Sequence, residues 1–525
     1  MPASIVLSQI TWSTPDGRTL LDHLDFRFAA ERTGLIGRNG VGKTTLFNII
    51  AGLTAPASGS VVITGSIGLL RQDLIPQAGE TVADLFGARP ALALLDAAEA
   101  GTATVEQLAD IDWTLRERLA GTLDRFGLGW ALDARLSTLS GGQRTRAALA
   151  ALTFNKPDFL LLDEPTNNLD EEGRRLVIDL LAGWRGGAIV ISHDRALLAE
   201  VDAIVELTTL GATRYGGNWS HYRACRAVEL SAATHDLAIA QRQMDELARA
   251  TQATAERQAR RDGAGRRNRA KGDAPRILLD AKKDRSEATG GAHARLAEAR
   301  HGQATEALSA ARKRVEVLQP LSMQIASTNL LPGRVVLRLE GVSAGYAGGS
   351  PVISDMSLVV TGPERIAITG ANGAGKTTLL SVMSGRLAPS AGTVQRPVGF
   401  AVLDQTVSLL DGAATIRDNF RRLNPNSDEE AARAALARFM FRADAAMQVV
   451  SSLSGGQRLR AGLACTLGGD HPPPLLFLDE PTNHLDIESI EALEAALARY
   501  DGALIVISHD RVFLESIGIT RVIAL

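Results

Sequence analysis

The sequence predicts an α/β protein made of two similar halves that are joined by a helical segment. The pattern GxxxxGK[ST] occurs at residues 37–44 and again at 370–377. Each copy follows a short apolar run that indicates a strand and leads into a run that indicates a helix. Other short motifs recur in the same order in both halves. Between the halves, apolar residues are spaced as on one face of a helix.

Length and composition narrow the class of protein. A chain of 525 residues is too long for a single core, so we expect about three structural units. Two distant cysteines, Cys225 and Cys465, form neither a disulfide framework nor a metal cluster, which favours a reducing cytosol. The N-terminus has no basic stretch followed by an apolar run, and no 18 consecutive residues are apolar. We therefore expect neither a signal peptide nor a membrane span.

The two glycine-rich patterns predict phosphate-binding loops. Apolar residues 33–36 and 365–369 indicate strands before the loops, and 44–50 indicates a helix whose N-terminus faces the phosphates. A single match arises by chance in about a few per cent of chains this long, but the repeat excludes chance. The glycines let backbone N–H groups surround a polyphosphate, a lysine reaches the β- and γ-phosphates, and a threonine hydroxyl binds Mg²⁺. The predicted ATP-binding residues of the loops are Gly37, Asn39, Gly40, Gly42, Lys43, Thr44 and Thr45 in the first copy and Gly370, Asn372, Gly373, Gly375, Lys376, Thr377 and Thr378 in the second.

Five further signals follow each loop at nearly fixed spacing. A glutamine lies 29 residues after the loop lysine, and a Leu-Ser-Gly-Gly-Gln segment comes next. An apolar strand then ends in Asp-Glu-Pro-Thr-Asn, which is followed by Leu-Asp. A histidine lies 30 residues after the aspartate of the Asp-Glu pair. The residues concerned are Gln72, residues 139–143, residues 163–167, 169–170 and His193 in the first half, and Gln405, residues 453–457, residues 479–483, 485–486 and His509 in the second. So many matches in one order indicate an internal duplication.

The halves also differ. From the glutamine to the serine of the Leu-Ser-Gly-Gly-Gln segment, the first half takes 68 residues and the second takes 49. The additional residues fall in an Ala/Leu-rich stretch at about 86–110, which predicts helix and an enlarged helical subdomain. The second half carries a Pro-rich insertion at 468–474, for which we expect a surface loop.

These motifs in this order resemble the nucleotide-binding domain of the ATP-binding cassette superfamily. The resemblance covers roughly 1–215 and 331–525. It implies an α/β core with a helical subdomain in each half, and two cassettes packed head to tail around two ATP molecules. A serine and glycines that open a helix offer N–H groups and a positive dipole end to a γ-phosphate. The residues predicted to contribute these groups are Ser140, Gly142, Ser454 and Gly456.

The resemblance also implies a role for each motif residue. Asp163 and Asp479, with the loop threonines, would position Mg²⁺, because phosphoryl transfer needs charge neutralisation more than covalent help. Glu164 and Glu480 would polarise the attacking water. His193 and His509 would orient the γ-phosphate, and Gln72 and Gln405 would contact the metal or water. Taken alone, a strand-end Asp-Glu pair is more often a solvated turn and an isolated histidine more often a core side chain, but their setting here favours the catalytic interpretation.

The adenine contacts differ between the halves. The second half has Tyr346 where the family usually places an aromatic residue. The corresponding position in the first half is Thr14, with Trp12 two residues earlier. Either Trp12 substitutes or the first site holds its base more loosely. Both halves retain the glutamate and the histidine, so we expect both sites to hydrolyse ATP.

The segment between the cassettes, residues 216–330, is polar and helical in pattern. Apolar residues recur at Leu230, Leu237, Met244 and Leu247, and again at Leu308, Ala311, Val315 and Leu318. A helix over 223–262 would be about 60 Å long, and glycines and a proline in 263–291 interrupt the pattern. We therefore expect an antiparallel α-helical hairpin with a tip at about 257–291.

The tip is strongly basic in a chain whose net charge is −3. From 257 to 285 there are 11 Lys/Arg against 4 Asp/Glu, a local charge of +7, which suggests contact with a polyanion. The alternative is a solvated coiled-coil linker. The basic residues are Arg257, Arg260, Arg261, Arg266, Arg267, Arg269, Lys271, Arg276, Lys282, Lys283 and Arg285.

Two fused cassettes, the size of the linker and the Tyr-Gly-Gly-Asn-Trp-Ser-His-Tyr segment at 215–222 resemble the ABC-F family. Its members are cytoplasmic ATPases that act on ribosomes, where the hairpin tip approaches the P-site tRNA and the peptidyl-transferase centre. Some tune translation and others displace antibiotics. The resemblance implies a monomer that uses ATP and Mg²⁺, with rRNA and tRNA phosphates as partners. The residues predicted to bind RNA are Arg266, Arg267, Arg269, Lys271 and Arg276.

Other functions fit the sequence less well. A transporter ATPase subunit working with a separate membrane chain has no evident use for the basic linker. DNA-acting cassette ATPases carry zinc-binding cysteine motifs or far longer coiled coils, and this sequence has neither. Ribosome-recycling cassette ATPases carry many N-terminal cysteines that bind iron–sulfur clusters, whereas this sequence has two cysteines in all. The C-terminal coiled coil of some ABC-F proteins is not expected in this chain.

Overall fold

The computed structural model describes residues 3–71, 76–109, 111–129, 132–167, 169–209, 211–269, 302–311, 325–346, 350–483 and 485–525. Gln72, Lys271 and Arg276 of the predicted site lie outside these ranges. Internal contacts divide the chain into two units. One unit combines Met1–His221 with Leu321–Leu525 and holds both cassettes, and the other is Tyr222–Pro320.

The first cassette contains two sheets. Its strands are β1 (Ser4–Ser13), β2 (Thr19–Phe28), β3 (Arg32–Ile36), β4 (Ser58–Thr64), β5 (Ile67–Leu70), β6 (Phe159–Asp163), β7 (Gly187–Ile191), β8 (Ala203–Thr208) and β9 (Gly211–Gly216). An antiparallel sheet has the order β2-β1-β4, and a larger sheet has the order β5-β6-β7-β3-β8-β9. In the larger sheet only the β8–β9 pair is antiparallel.

The first cassette also contains the helices α1 (Lys43–Ile50), α2 (Val82–Leu85), α3 (Arg89–Glu99), α4 (Val105–Ala109), α5 (Leu115–Arg125), α6 (Gly141–Asn155), α7 (Glu171–Gly183) and α8 (Arg195–Leu198). Of these, α2 to α5 lie between Gln72 and Ser140, where the sequence predicts a helical subdomain. The stretch at about 86–110 is helical as predicted, but it is divided between α3 and α4. None of the residues of α4 is buried, and Val105 is 81% exposed.

The linker unit contains α9 (Trp219–Arg269) and a second helix, α10, at residues 302–311. The 51 residues of α9 correspond to about 76 Å of helix. This helix runs beyond the predicted end at 262 and passes through Gly263 and Gly265. Each glycine costs only about 1 kcal/mol in a helix interior, and the arginines and alanines beside them are good helix formers.

The two linker helices pack against each other through the predicted apolar face. Leu308 and Ala311 of α10 are buried with Ala240 of α9, and the half-buried Leu237 and Met244 complete the cluster. Val315 and Leu318 lie outside the described residues. Because α10 packs against α9, the two helices form the hairpin expected from the sequence.

The second cassette repeats the architecture of the first. Its elements are β10 (Val335–Ala344), β11 (Ile353–Thr361), β12 (Arg365–Thr369), α11 (Lys376–Ser384), β13 (Ala391–Gln395), β14 (Phe400–Leu403), α12 (Ile416–Leu423), α13 (Glu429–Arg438), α14 (Gly455–Leu467), β15 (Leu475–Asp479), α15 (Ile487–Arg499), β16 (Ala503–Ile507), α16 (Arg511–Ser516) and β17 (Arg521–Ala524). The antiparallel sheet has the order β11-β10-β13, and the parallel sheet has the order β14-β15-β16-β12-β17. The insertion at 468–474 contains no helix or strand, but Pro472 is buried, so the segment is only partly a surface loop.

The central strands are apolar throughout because both faces of each parallel sheet are covered. Every residue of β6, β7, β15 and β16 is buried. The carboxyl ends of these strands lie at one edge of each sheet, which brings the Asp-Glu pair and the histidine segment of each half to the same place. Among the described residues, no helix has both the length and the apolar character of a membrane span.

The core of the second cassette provides a stability test at an aromatic pair. Phe477 of β15 is completely buried and meets Phe400 edge to face at a centroid separation of 5.8 Å. We expect Phe477→Ala to lower the free energy of unfolding by about 3–5 kcal/mol, because it removes packing and leaves a cavity. The measurement is urea denaturation followed by circular dichroism. The matched control is Phe400→Ala, which removes the same ring from a partly exposed position and should cost about 1 kcal/mol. Equal losses would contradict this account of the core.

Candidate functional site

Both phosphate-binding loops depend on glycine. Gly37, Gly40 and Gly42 have φ angles of 149°, 80° and 108°, a region that disfavours every residue with a Cβ atom. The second loop shows the same pattern at Gly370, Gly373 and Gly375. A Cβ on Gly37 would lie 2.3 Å from the carbonyl oxygen of Leu207. Each loop can therefore turn tightly and direct its backbone N–H groups at a ligand.

The loop lysines are buried and held by the loop itself. Lys43 Nζ donates hydrogen bonds to the carbonyls of Gly37 at 2.6 Å and Arg38 at 3.2 Å. Lys376 makes the corresponding bonds to Gly370 and Ala371 at 2.8 and 3.0 Å. Burial lowers the pKa of both ammonium groups, and nearby carboxylates oppose the shift. Each lysine is thus positioned next to the glycine cradle as a cation with few water contacts.

The glutamate of each Asp-Glu pair lies in a strained backbone conformation. Glu164 and Glu480 follow the last residues of β6 and β15 and have φ angles of +49° and +46°. Such angles cost a non-glycine residue about 1–3 kcal/mol and cluster at functional sites. The backbone N–H of each glutamate donates a 2.9 Å hydrogen bond to the end of the neighbouring strand, at Ile191 and Ile507. The strained turn directs each carboxylate towards the histidine of its own half.

Each glutamate and histidine form a buried pair. Nε2 of His193 lies 3.1 Å from Oε1 of Glu164, and Nε2 of His509 lies 3.4 Å from Oε1 of Glu480. Burial raises the pKa of Glu164, raises that of Glu480 to about 7 and lowers that of His509 to about 4. Burial also lowers the pKa of His193. The histidines are therefore neutral near pH 7. A glutamate with a raised pKa matches what a general base needs at that pH.

The residues expected to hold Mg²⁺ fit that role. Oδ1 of Asp479 is buried and has no hydrogen-bond partner among the described residues, while the carboxyl group accepts a hydrogen bond from the side chain of Thr377. Burial raises the pKa of Asp479, and the nearby cations Lys376 and Arg386 oppose the shift. In the first half, Thr44 and Asp163 line one cavity. Thr44 with Asp163, and Thr377 with Asp479, would hold a Mg²⁺ ion that neutralises phosphate charge.

A cavity of about 360 Å³ joins the first loop to the second half. It is lined by Lys43, Glu164 and His193 of the first half and by Ser454 and Gly455 of the second. Ser454 caps α14: its Oγ accepts a hydrogen bond from the N–H of Gln457 at 3.3 Å, and Gln457 Oε1 accepts one from the N–H of Ser454 at 3.0 Å. The N-terminus of α14 thus completes a site whose other wall is the phosphate-binding loop of the opposite half.

A second cavity of about 250 Å³ lies between the two sites. Both glutamates and both histidines line it, as do Asn372 and Gln405. Ser140 caps α6 in the same way that Ser454 caps α14, but it lines neither of these two cavities. The first half nevertheless influences the second loop. Its Asp170 carboxylate acts to raise the pKa of Lys376.

Several polar contacts connect the halves around these cavities. The N–H of Asn39 donates to Asp486 Oδ2 at 2.9 Å, and Arg38 Nε lies 2.7 Å from Glu488. Arg195 binds Glu494 through both terminal nitrogens at 2.8 and 3.1 Å, with side chains 5% and 14% exposed. Arg511 also bonds to Glu171. These pairs join residues hundreds of positions apart in the sequence, and no motif predicted them.

Comparison with known proteins identifies the class of site. The family model described as "ABC transporter" matches residues 21–167 and 353–483. The tylosin resistance ATP-binding protein TlrC of Streptomyces fradiae is 33% identical over 94% of this chain and 93% of its own length. The energy-dependent translational throttle protein EttA of Mycobacterium tuberculosis is 31% identical over 95% of this chain and 87% of its own length.

The chain belongs to the ABC-F family. It is an ATP-hydrolysing enzyme with two ABC domains. The solved structure of RNase-L Inhibitor covers 99% of this ABC-F chain, and the chain covers 87% of that structure, with a TM-score of 0.60 and 17% sequence identity. At that identity the likeness shows the fold alone, a tandem pair of ABC ATPase domains, and it agrees with the predicted α/β class.

The structure describes the residues considered for stacking on adenine in the two halves. Tyr346 is 62% exposed, and Thr378 Oγ1 lies 3.4 Å from its hydroxyl. Trp12 instead packs against the apolar core of the first cassette, and Thr14 bonds to Arg18 within its turn. Leu20 lines the first cavity. Whether Trp12 substitutes or the first site of this ABC-F chain holds its base more loosely remains a choice between two predictions.

Sequence reasoning missed some of the residues that line the cavities. Asn167 lines both, and Asn483 lines the second. Their repetition at the end of Asp-Glu-Pro-Thr-Asn was the available signal. Gly455, rather than the predicted Gly456, lines the first cavity, while Gly142 and Gly456 are buried in their helices. The roles proposed for Gly142 and Gly456 remain predictions.

The shared cavity can be tested at Ser454. In a Glu480→Gln protein, only the first site is expected to hydrolyse ATP. We expect Ser454→Arg to slow single-turnover hydrolysis there by about a hundredfold, since a long side chain would occupy the space beside Lys43 and displace the donors that face the phosphate. Rapid-quench assays measure the rate. Ser451→Arg, at an exposed position of the same half, is the matched control and should retain the rate. Normal hydrolysis by the Ser454→Arg protein would contradict the composite site.

Proposed function

We propose that this ABC-F ATPase acts on the ribosome in the cytoplasm and uses ATP-dependent closure of its cassettes to place the linker hairpin near the P-site tRNA and the peptidyl-transferase centre. The outcome is regulation of translation or protection of the ribosome against an antibiotic. The first ATP-binding domain spans 1–215, the linker 216–330 and the second ATP-binding domain 331–525. The protein acts as a monomer whose cassettes pair within one chain.

The observation that carries this proposal is the length and charge of α9. The helix extends for 51 residues from Trp219, and its last turns include Arg266, Arg267 and Arg269. A single helix of about 76 Å can place charged residues far from the domain in which it begins. Its C-terminal part belongs to the segment with a local charge of +7. A long helix with a basic end is suited to enter a narrow cavity that is lined by RNA phosphates.

Electrostatics defines the class of partner. Each phosphate of RNA carries a negative charge, and cationic side chains that bind phosphates release counterions, which makes binding strongly dependent on salt. The segment 257–285 contains no Phe, Tyr or Trp, so bases do not stack on aromatic side chains there. Recognition through shape and phosphate contacts is typical of proteins that bind folded RNA.

The names of the similar proteins support the same class of partner. TlrC is named for tylosin resistance and EttA for throttling translation. We propose that the present chain shares the ribosomal target implied by both names. Which of the two outcomes it serves depends on side chains at the hairpin tip.

The composite sites provide the chemical step of the proposal. We assign Glu164 and Glu480 as the residues that polarise the attacking water and His193 and His509 as the residues that orient the γ-phosphate. Lys43 and Lys376 bind the β- and γ-phosphates, and the serine at the start of the opposite signature helix contacts the γ-phosphate. ATP that touches both halves stabilises the closed pair, and its hydrolysis weakens that contact.

A hydrolysis-deficient protein tests the ribosomal target. We expect Glu164→Gln combined with Glu480→Gln to bind ATP without hydrolysing it, because an amide cannot act as a general base. The cassettes then remain closed. Sedimentation through a sucrose cushion should recover this protein with ribosomes when ATP is present and much less of it without ATP. Wild-type protein is the control. Failure of the ATP-bound double variant to co-sediment would refute the proposal and favour an ATPase subunit that serves another partner.

The basic tip provides a separate test. Changing Arg266, Arg267 and Arg269 together to Ala should weaken ribosome binding and reduce the slope of log affinity against log salt concentration by about 2, because phosphate contacts are lost. Nucleotide binding should be unchanged. The matched control changes Arg89, Arg116 and Arg125, which lie on α3 and α5, to Ala. An unchanged salt slope in the tip variant would indicate that the hairpin is a solvated linker.

A further inference from the structure

Arg174 of α7 lies between the two ATP sites and bonds to both halves. Its Nε and Nη2 atoms donate to Oδ2 of Asp194 at 3.0 and 2.8 Å, and its Nη1 donates to the backbone carbonyl of His509. The Arg174 and Asp194 side chains are 15% and 4% exposed. This guanidinium is therefore largely excluded from water and fixed by three donor contacts.

One partner of Arg174 is next to the histidine of the first site, and the other is the histidine of the second site. Asp194 directly follows His193, the histidine of the first site. The other partner is the carbonyl of His509 itself, whose ring faces Glu480 at 3.4 Å. Arg174 also lines the cavity that contains both histidines and both glutamates. One side chain thus connects the histidine segment of the first site to that of the second.

The second half has no equivalent arginine. α7 begins after Asp170 and α15 begins after Asp486, and each of these aspartates caps its helix. Counted from the two caps, the position of Arg174 corresponds to Ile490. An isoleucine side chain has no hydrogen-bond donor. It cannot hold the His193 carbonyl in the way that Arg174 holds that of His509, so the link is asymmetric.

We propose that Arg174 is a positioning residue for ATP hydrolysis that couples the two sites by tying the His509 backbone of the second site to Asp194 beside the first. An arginine suits this role because its planar guanidinium presents several donors in fixed directions and can bind two partners at once. The His509 backbone is thereby placed relative to the histidine segment of the opposite half. The proposal concerns ATP hydrolysis alone and does not depend on the ribosomal target.

Loss of Arg174 should affect the sites unequally. Asp194 also caps α8, where its Oδ1 accepts a 3.0 Å hydrogen bond from the N–H of Ala196. Asp510 likewise caps α16, where its Oδ1 accepts a 3.0 Å hydrogen bond from the N–H of Phe513. Both histidine segments therefore keep a local restraint when the guanidinium is removed, but only the second loses a contact made to the histidine itself. The His509 carbonyl loses a donor that comes from the opposite half. Because small displacements of a catalytic group are costly, hydrolysis at the second site should bear most of the loss.

The test uses Arg174→Ile, which introduces the residue that the second half carries at this position. The substitution is made in Glu164→Gln protein, where the second site hydrolyses ATP, and in Glu480→Gln protein, where the first site does. We expect single-turnover hydrolysis at the second site to slow about tenfold, with the half-saturating ATP concentration unchanged within twofold. Hydrolysis at the first site should slow less than threefold.

Two further variants separate positioning from folding. Arg174→Lys keeps the charge but replaces the planar fork of donors with a single ammonium group, so it should recover part of the second-site rate. Arg175→Ala is the matched control, because Arg175 is the neighbouring residue on α7 and its side chain is 65% exposed and paired with Glu171 of the same helix. Its single-turnover rates should match those of the parent proteins.

Hydrogen–deuterium exchange provides a readout that does not depend on turnover. In otherwise wild-type protein, Arg174→Ile should increase exchange in the segment 505–515 more than in 189–199, the corresponding segment of the first half. Equal slowing of hydrolysis at both sites, an unchanged second-site rate, or unchanged exchange in 505–515 would each overturn the proposal. The first of these results would assign Arg174 a general structural role.

Discussion

The interface between the cassettes buries ionisable groups that cannot all keep their ordinary charge. Glu164, Glu480 and both histidines lie almost out of contact with water, and burial shifts the pKa of each towards its neutral form. Removing a charge from water is costly unless a partner compensates it. The loop lysines are buried cations of the same interface, and the glycine loops and the opposite helix N-terminus surround the space where a polyphosphate would compensate their charge. The tandem arrangement depends on this requirement, since neither half alone encloses the first cavity.

Most of the architecture could be predicted because the informative signals are local. The strand expected at 365–369 matches β12, and the one expected at 33–36 lies within β3. These strands are mainly apolar runs that lead into loops whose glycines adopt φ angles that other residues disfavour. The same order of motifs occurs in both halves, so the motifs of the second half support the interpretation of those in the first. A repeated pattern carries more information than either copy.

Other features depend on residues that are distant in the sequence, and no local pattern shows them. The pairs Arg195–Glu494 and Arg38–Glu488 arise only when the two halves meet. The sequence left open whether Trp12 faces the nucleotide, and no local pattern shows that it packs partly buried against the core of the first cassette. The end of α9 was also misjudged, because glycines at 263 and 265 weaken a helix without ending it. The left-handed backbone of the two glutamates lies in a turn that hydrogen-bonds to the neighbouring strand, which is distant in the sequence.

The short helix α4 lies in the region where the first half is longer than the second. It contributes nothing to the interior, and nearby Trp113 is 59% exposed. Shortening this stretch would open no void, and a reporter peptide inserted there would meet no packed neighbour. The same exposure makes it a natural point of attack for a protease. A segment of this kind can change in length without disturbing the packing of the nucleotide-binding core.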